Sequence, residues 1–329
     1  MHSDRLTRRD VLRVAAAASA VGALPAVHAQ AWPAKPVQMI VPFPAGGGTD
    51  AFARPLAAQF AEQTKQQLVI DNKGGAGGTV GATLASRANP DGYNFFMGAV
   101  HHTIAPSIYP RLDYDLQRDL IPIALVARVP QVVVVNPNRI PARDFKEFLA
   151  LVKANPGKYN YASAGNGTSH HLAGELFKLQ TKTFITHIPY RGAGPALQDL
   201  ITGSADLMFD GLGSSAAHIK GGRIKALMVA GNKRVPAFPE VPAASELGLA
   251  DYTVTSWYGI WAPKGTPAEA QARMHEEVRK AVQSEKLKAV WAGQGAEFPN
   301  FSQQQFAAFI DGEVKRWAAV VKAADIKAD

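Results

Sequence analysis

Twice in this chain a strand pattern runs directly into a glycine-rich turn that opens a helix. No other feature limits the fold as strongly. The first turn is Pro42-Phe43-Pro44-Ala45-Gly46-Gly47-Gly48-Thr49-Asp50, and the second is Ser163-Ala164-Gly165-Asn166-Gly167-Thr168-Ser169. Around the first, residues 36–43 read as a buried strand, followed by a helix pattern through Phe52, Leu56 and Phe60. Residues 68–71 form a second strand pattern, broken by Lys73-Gly74-Gly75-Ala76-Gly77-Gly78, and a helix pattern covers 80–88. Asn89-Pro90-Asp91-Gly92 is a turn signal before a third strand at 93–99. This βαβαβ order predicts a mainly parallel sheet with helices on its faces.

The pattern then restarts. Residues 121–135 are a long apolar stretch interrupted by Pro130, and a helix is expected over 145–153. Strand patterns at 159–162, 184–189, 205–210 and 224–230 alternate with helical ones such as 170–178. A proline-rich stretch at 235–248 precedes a strand pattern at 252–261. Pro263-Lys264-Gly265-Thr266-Pro267 then leads into a tail with three helical segments. Two apolar connections, near 121–135 and 252–262, imply that the chain leaves one α/β unit and later returns to it. The expected organisation is a discontinuous first lobe of 30–129 and 253–329 with an inserted second lobe of 130–252.

Residues 1–29 read as an export signal. Arg5, Arg8, Arg9 and Arg13 form a basic start, and the apolar run over 14–27 is shorter than the ~20 residues a membrane span needs. Val27-His28-Ala29 places small residues for cleavage near Ala29, and Thr7-Arg8-Arg9-Asp10-Val11-Leu12 is similar to a twin-arginine motif. The chain has no cysteine, which suits an oxidising compartment and excludes thiol catalysis, cysteine metal sites and a lipid anchor on cysteine. A periplasmic location is expected. Of the formal charge of +8, +2 belongs to the first 29 residues. The remaining positive charge is spread along the chain without a basic helix or aromatic-basic motif, so nucleic acid is not an expected partner.

Both glycine turns stand where open α/β sheets bind ligands, at the C-terminal end of a strand. A helix N-terminus offers free N–H groups and partial positive charge to an anion, and Thr49, Thr168 and Ser169 add hydroxyls. The alternative is a pair of tight turns with ordinary helix caps. Nucleotide motifs are absent: no glycine turn ends in Gly-Lys, and Val80 stands where a dinucleotide fingerprint would need its third glycine. G-x-S-x-G is absent too. His101-His102 and His170-His171 are adjacent pairs, and His171 with Glu175 gives only two ligands, so no metal site is expected. His102 is instead a candidate donor into the cleft. Arg191 is placed either to pair a carboxylate or to form a surface ion pair. Asp210 is placed to accept from a ligand or to cap a helix. Trp257 and Tyr258 are candidates for core packing or for a cleft wall.

Several motifs together resemble those of tripartite tricarboxylate transporter receptors, also called Bug-type periplasmic receptors. They are Trp32-Pro33, the 42–50 turn, Asn72-Lys73-Gly74-Gly75-Ala76-Gly77-Gly78, Pro90-Asp91-Gly92-Tyr93, Ala164-Gly165-Asn166-Gly167-Thr168, His171-Leu172-Ala173-Gly174-Glu175, Pro189-Tyr190-Arg191-Gly192 and Val241-Pro242. The resemblance implies an α/β, type II periplasmic binding-protein fold, with two α/β lobes closing on a small organic acid. It implies carboxylate clamping at Phe43, Ala45, Gly46, Gly47, Ser163, Gly165, Gly167, Thr168 and Ser169. Thr79, Tyr190, Arg191, Gly192 and Asp210 would line or close the pocket, and the 100–103 stretch would tune the choice of acid. It further implies a monomer without cofactor or catalytic residue that serves a two-subunit membrane permease. A periplasmic enzyme or a sensing partner on the same fold is the alternative.

Overall fold

The computed structural model describes residues 32–323 together with 326 and 327. The export segment expected over 1–29, with its arginine pair and the cleavage point near Ala29, lies outside the described residues. Lys35–Asp329 forms one compact unit.

The first βαβαβ pattern is present as β1 (Val37–Val41), α1 (Gly48–Thr64), β2 (Leu68–Asn72), α2 (Thr79–Ser86) and β3 (Asn94–Ala99). β1 pairs in parallel with both β2 and β3. Phe52, Leu56 and Phe60 recur at i+4 and are all buried, which gives α1 one apolar stripe to lay on the sheet. A further helix, α3 (His101–Ile108), follows β3 directly. β4 (Leu120–Val135) then runs 16 residues and is buried along most of its length.

The second set is α4 (Phe145–Ala154), β5 (Asn160–Ser163), α5 (Ser169–Thr181), β6 (Thr186–Pro189), α6 (Ala193–Thr202), β7 (Leu207–Gly211), α7 (Leu212–Lys220) and β8 (Lys225–Val229). β9 (Thr255–Pro263) and three helices, α8 (Ala268–Gln283), α9 (Glu285–Ala292) and α10 (Gln303–Ala323), complete the unit. The strand order among the described residues is β2-β1-β3-β9-β4-β7-β5-β6, with β8 also on β4.

Two sequence expectations need correction. The sheet is mixed rather than mainly parallel, because β9 is antiparallel to β3 and β4, and β4 is antiparallel to β7 and β8. The reason lies in the connections: β4 carries the chain out and β9 carries it back, so they run side by side in opposite directions. Pro130, moreover, does not interrupt the strand. It pairs with Thr255 at the end of the β9 register, and from Gln131 onward β4 pairs with β7 instead. The missing proline N–H thus falls where the ladder changes partners.

The tail returns to β9 through a polar anchor in an aromatic core. The Trp257 and Trp317 indoles both donate to Glu313 Oε2, at 2.8 and 3.1 Å, and Arg316 donates to Oε1 at 3.1 Å. Trp261 and Phe306 pack beside them with ring centroids 5.2 Å apart and planes tilted by 56°.

Candidate ligand site

Four helices of this unit begin at one small cavity. Its walls include Gly47, Gly48 and Thr49 from the start of α1, His101 from α3, His170 from α5 and Ala193 from α6, with Phe43, Ala164 and Tyr258 between them. None of the four N-cap residues, Gly47, Val100, Thr168 and Gly192, makes a side-chain capping bond. Four helix N-termini therefore meet at one cavity with no side-chain bond from an N-cap residue, although Asp50 stands in the first turn of α1 and Ser169 N–H at the start of α5 already donates to His101 Nδ1. The cavity itself is about 10 Å³, room for little more than one water.

The first glycine turn is braced from outside the cavity by Asp50. Its Oδ2 accepts from Gly46 N–H at 3.1 Å and Arg54 Nε at 2.8 Å, and its Oδ1 accepts from Asn72 Nδ2 at 3.1 Å. Asn72 Nδ2 also donates to the Phe43 carbonyl at 2.8 Å. The Gly46 amide is thus engaged within the turn, and the cavity is met by Gly47 and Gly48. Gly48 must lack a side chain because a Cβ there would lie 2.2 Å from the Tyr258 hydroxyl. Asp50→Ala removes an ionised acceptor of three hydrogen bonds and is expected to cost roughly 1.5–3 kcal/mol of stability. Urea unfolding checks this, with a lowered midpoint at unchanged slope.

The second turn is held mainly by its own chain. Ser163 is buried; its Oγ lies 2.6 Å from His187 Nε2 and accepts from Gly165 N–H at 3.1 Å. Thr168 Oγ1 donates to the Gly165 carbonyl at 2.7 Å, and His171 Nδ1 accepts from Gly167 N–H at 3.2 Å. Ser169 N–H donates to His101 Nδ1 at 3.0 Å, and Ser169 Oγ accepts from Gln131 Nε2 at 2.9 Å. In this arrangement the groups expected to clamp an anion from this turn have internal partners. Ala164 and His170 are what it presents to the cavity.

Of the adjacent histidines it is His101 that faces the cavity. Burial lowers its pKa well below the usual value, helped by His170 and His102. The ring is therefore neutral, and with Nδ1 accepting from Ser169 its proton sits on Nε2. His102 points away. Its Nδ1 accepts from Ala99 N–H at 3.0 Å and its Nε2 donates to the Gly78 carbonyl at 3.3 Å, so it ties the Ala76–Gly78 turn to the end of β3. Burial brings its pKa down to about 4.

Asp210 stands behind the cavity. Its Oδ2 accepts from Ser214 at 2.7 Å and from Ser215. Its Oδ1 has no hydrogen-bond partner among the described residues and lies 3.6 Å from His170 Nε2. Burial lowers the His170 pKa and Asp210 opposes that shift in part. Burial and the Asp210 charge push the Tyr258 phenol up, so its hydroxyl stays a donor. Trp257, one residue earlier, points into the aromatic core.

The remaining expected residues surround the cavity at a distance. Thr79 Oγ1 donates to the Ala76 carbonyl, and the Tyr190 hydroxyl donates to Asp199. Arg191 is exposed and makes no salt bridge among the described residues. Ala45 and Gly192 take part in a close approach of the first turn to the start of α6. A Cβ on Gly192 would lie 2.8 Å from Pro44 Cδ, and one on Gly194 would lie 2.7 Å from the Ala45 carbonyl oxygen. On the other flank Tyr109 donates to the Asn166 carbonyl at 2.8 Å, and a Cβ on Gly77 would meet that oxygen at 2.7 Å. Each glycine turn thus makes its closest approaches to another turn, while both contribute to the walls of the cavity. Tyr258 lines the cavity, as one of its two expected readings had it, and within the 100–103 stretch it is His101 that does so. Ala193 and Gln131 were not among the expected site residues; no motif distinguishes them.

A mixed α/β unit with a small cavity where several helix starts meet suits the uptake of a small anion. The chain belongs to the tripartite tricarboxylate transporter family of receptors, whose family model matches residues 52–326. It is 35% identical to BugT of Bordetella pertussis over 90% of this chain and 91% of that protein. Two Rhodopseudomonas palustris structures are similar throughout. One, solved with adipate, is 32% identical with a TM-score of 0.84 over 90% of this chain and 99% of that one. The other, MatC with bound malate, is 33% identical with a TM-score of 0.83 over 88% and 100%.

Proposed function

We infer that this chain is a periplasmic receptor that captures a small dicarboxylate and delivers it, unchanged, to a two-subunit membrane permease. The observation that carries the reading is the convergence of four uncapped helix N-termini on one cavity. Anionic ligands in the related receptors, adipate and malate, support it. One carboxylate would sit among the starts of α1, α5 and α6, with the Tyr258 hydroxyl and His101 Nε2–H as side-chain donors. Neutral His101 and His170 add no charge, so the helix ends supply the electrostatic attraction.

A cavity of about 10 Å³ cannot hold such an acid. The acid-bound form is therefore wider at the cavity than this arrangement: entry would swing residues 30–129 with 253–329 away from 130–252 about β4 and β9, and partial closure onto the acid would re-form the peripheral Ala45–Gly194 and Tyr109–Asn166 contacts. Differential scanning fluorimetry against malate, adipate and citrate, with NMR of the recovered acid, tests the reading. The expected result is a raised melting temperature with at least one acid and no chemical change in it. Conversion of the acid would identify an enzyme instead.

Export belongs to the same reading. Replacing Arg8 and Arg9 with lysine is expected to leave precursor in the cytoplasm, because a twin-arginine receptor distinguishes guanidinium from ammonium. Cell fractionation reads the outcome, and unchanged periplasmic yield would assign export to another route.

A further inference from the structure

A second cleft, about 760 Å³, is lined by neither glycine turn. It shares no residue with the helix-start cavity. In the β4–β9 pair the two draw on different residues. Ala127 is opposite Tyr258 and Val129 opposite Ser256, whereas Arg128 is opposite Trp257 and Pro130 opposite Thr255. Tyr258 lines the small cavity; Arg128, Pro130 and Thr255 line the large cleft. One wall follows β8 and includes Val229 and Lys233; the other follows α9 and includes Ala292 and Glu297.

The chemistry of the lining is specific. Arg128 Nε is buried and has no hydrogen-bond partner among the described residues. Its backbone is fixed by bonds in both directions with Glu297, at 2.9 and 2.8 Å. A buried guanidinium N–H without an acceptor is costly, and an oxygen of a ligand in the cleft would supply one. A carboxylate suits it, because two oxygens match Nε and a neighbouring Nη side by side. Lys233 adds a second cation at the cleft, and the Arg234 charge is answered by Glu246 at 2.7 Å. Glu297 at the exposed rim leaves the lining with one net positive charge, which fits a monoanion. Pro130, Val229, Val235 and Ala292 offer an apolar surface to the rest of the molecule.

We propose that this cleft is a second binding site, for a small monocarboxylate with an apolar body, anchored by Arg128. The volume lies within the range of small-molecule sites, about 300–1,000 Å³. The proposal does not rest on the dicarboxylate reading of the first site.

Fluorine NMR titration of the purified protein with 4-fluorobenzoate tests it. Saturable binding is expected, with 4-fluorobenzamide failing to compete. Arg128→Gln is expected to weaken binding roughly 10- to 150-fold by removing charged hydrogen bonds, and Arg128→Lys to restore it only in part. Ala292→Trp, at an exposed position, fills the cleft without touching β4 and is expected to abolish binding even if Arg128 variants fold poorly. Gly312→Ala, whose added Cβ meets nothing within 4 Å, leaves binding unchanged. The proposal is overturned by absence of saturation up to about 10 mM, or by undiminished binding to Ala292→Trp.

Discussion

Gly194→Val is expected to weaken carboxylate binding roughly 5- to 150-fold while leaving the ligand-free protein folded. A Cβ at Gly194 would stand 2.7 Å from the Ala45 carbonyl oxygen, and that oxygen belongs to backbone. Gly194 has no left-handed dihedral to defend, so valine there adds bulk at the contact and little backbone strain. The first glycine turn and the start of α6 would be held apart. Overpacking of this kind costs about 1–3 kcal/mol, which sets the affinity range. The cost falls on the closed state, because an open cleft separates the two segments. Gly312→Ala is the control, since a Cβ there meets nothing within 4 Å. Calorimetric titration of both variants reads the difference, and equal affinities would mean that this contact is not part of the ligand-bound form.

Acid sensitivity is the second large effect. Burial lowers His102 to about 4 and His187 to about 3, the latter helped by His171 and Lys178, against an ordinary histidine value of 6.5. His101 and His170 are lowered as well, chiefly by burial. The folded protein therefore keeps these rings neutral while the unfolded chain takes up protons below pH 6.5. Stability is full above that pH and falls as pH drops through the window from about 6.5 toward the folded values. Near pH 5, His102 and His187 alone contribute a slope of about 2–3 kcal/mol per pH unit. Urea unfolding at several pH values between 5 and 7 measures it, and His187→Gln should flatten the slope by about 1.4 kcal/mol per unit. An unchanged slope in that variant would place the proton uptake elsewhere.

The glycine turns were legible in the sequence because they satisfy a local rule: strand, glycine, hydroxyl, helix. Their position at strand ends follows from the same rule. What each turn faces is a matter of tertiary packing, and the sequence carries no local sign of it. Thus Gly46 and Gly167 lie in the right turns, yet their amides are engaged by Asp50 and His171. The histidine pair shows the limit most clearly. Successive helical residues point about 100° apart, so either His101 or His102 can face a cleft. The choice is made by Phe43 and Phe96, whose rings meet His101 and His102 edge-on at 5.1 and 4.9 Å. Gln131 was hidden inside an apolar run, and its role depends on β4 changing partners beside Pro130. The mixed sheet was missed for a related reason: strand direction is set by where the chain must go next, not by residue type.

The central claim, that convergent helix ends recognise carboxylate charge, is tested most directly by comparing acids with their neutral amides. Titration calorimetry of the purified protein with malate, adipate and citrate, beside adipamide and malamide, makes the comparison at pH 7. Saturable binding of at least one acid is predicted, with the corresponding diamide weaker by roughly 100-fold or more, since a charged acceptor is replaced by a neutral one at each helix start. A diamide that binds as tightly as its acid, or failure of every acid to bind, would contradict the account.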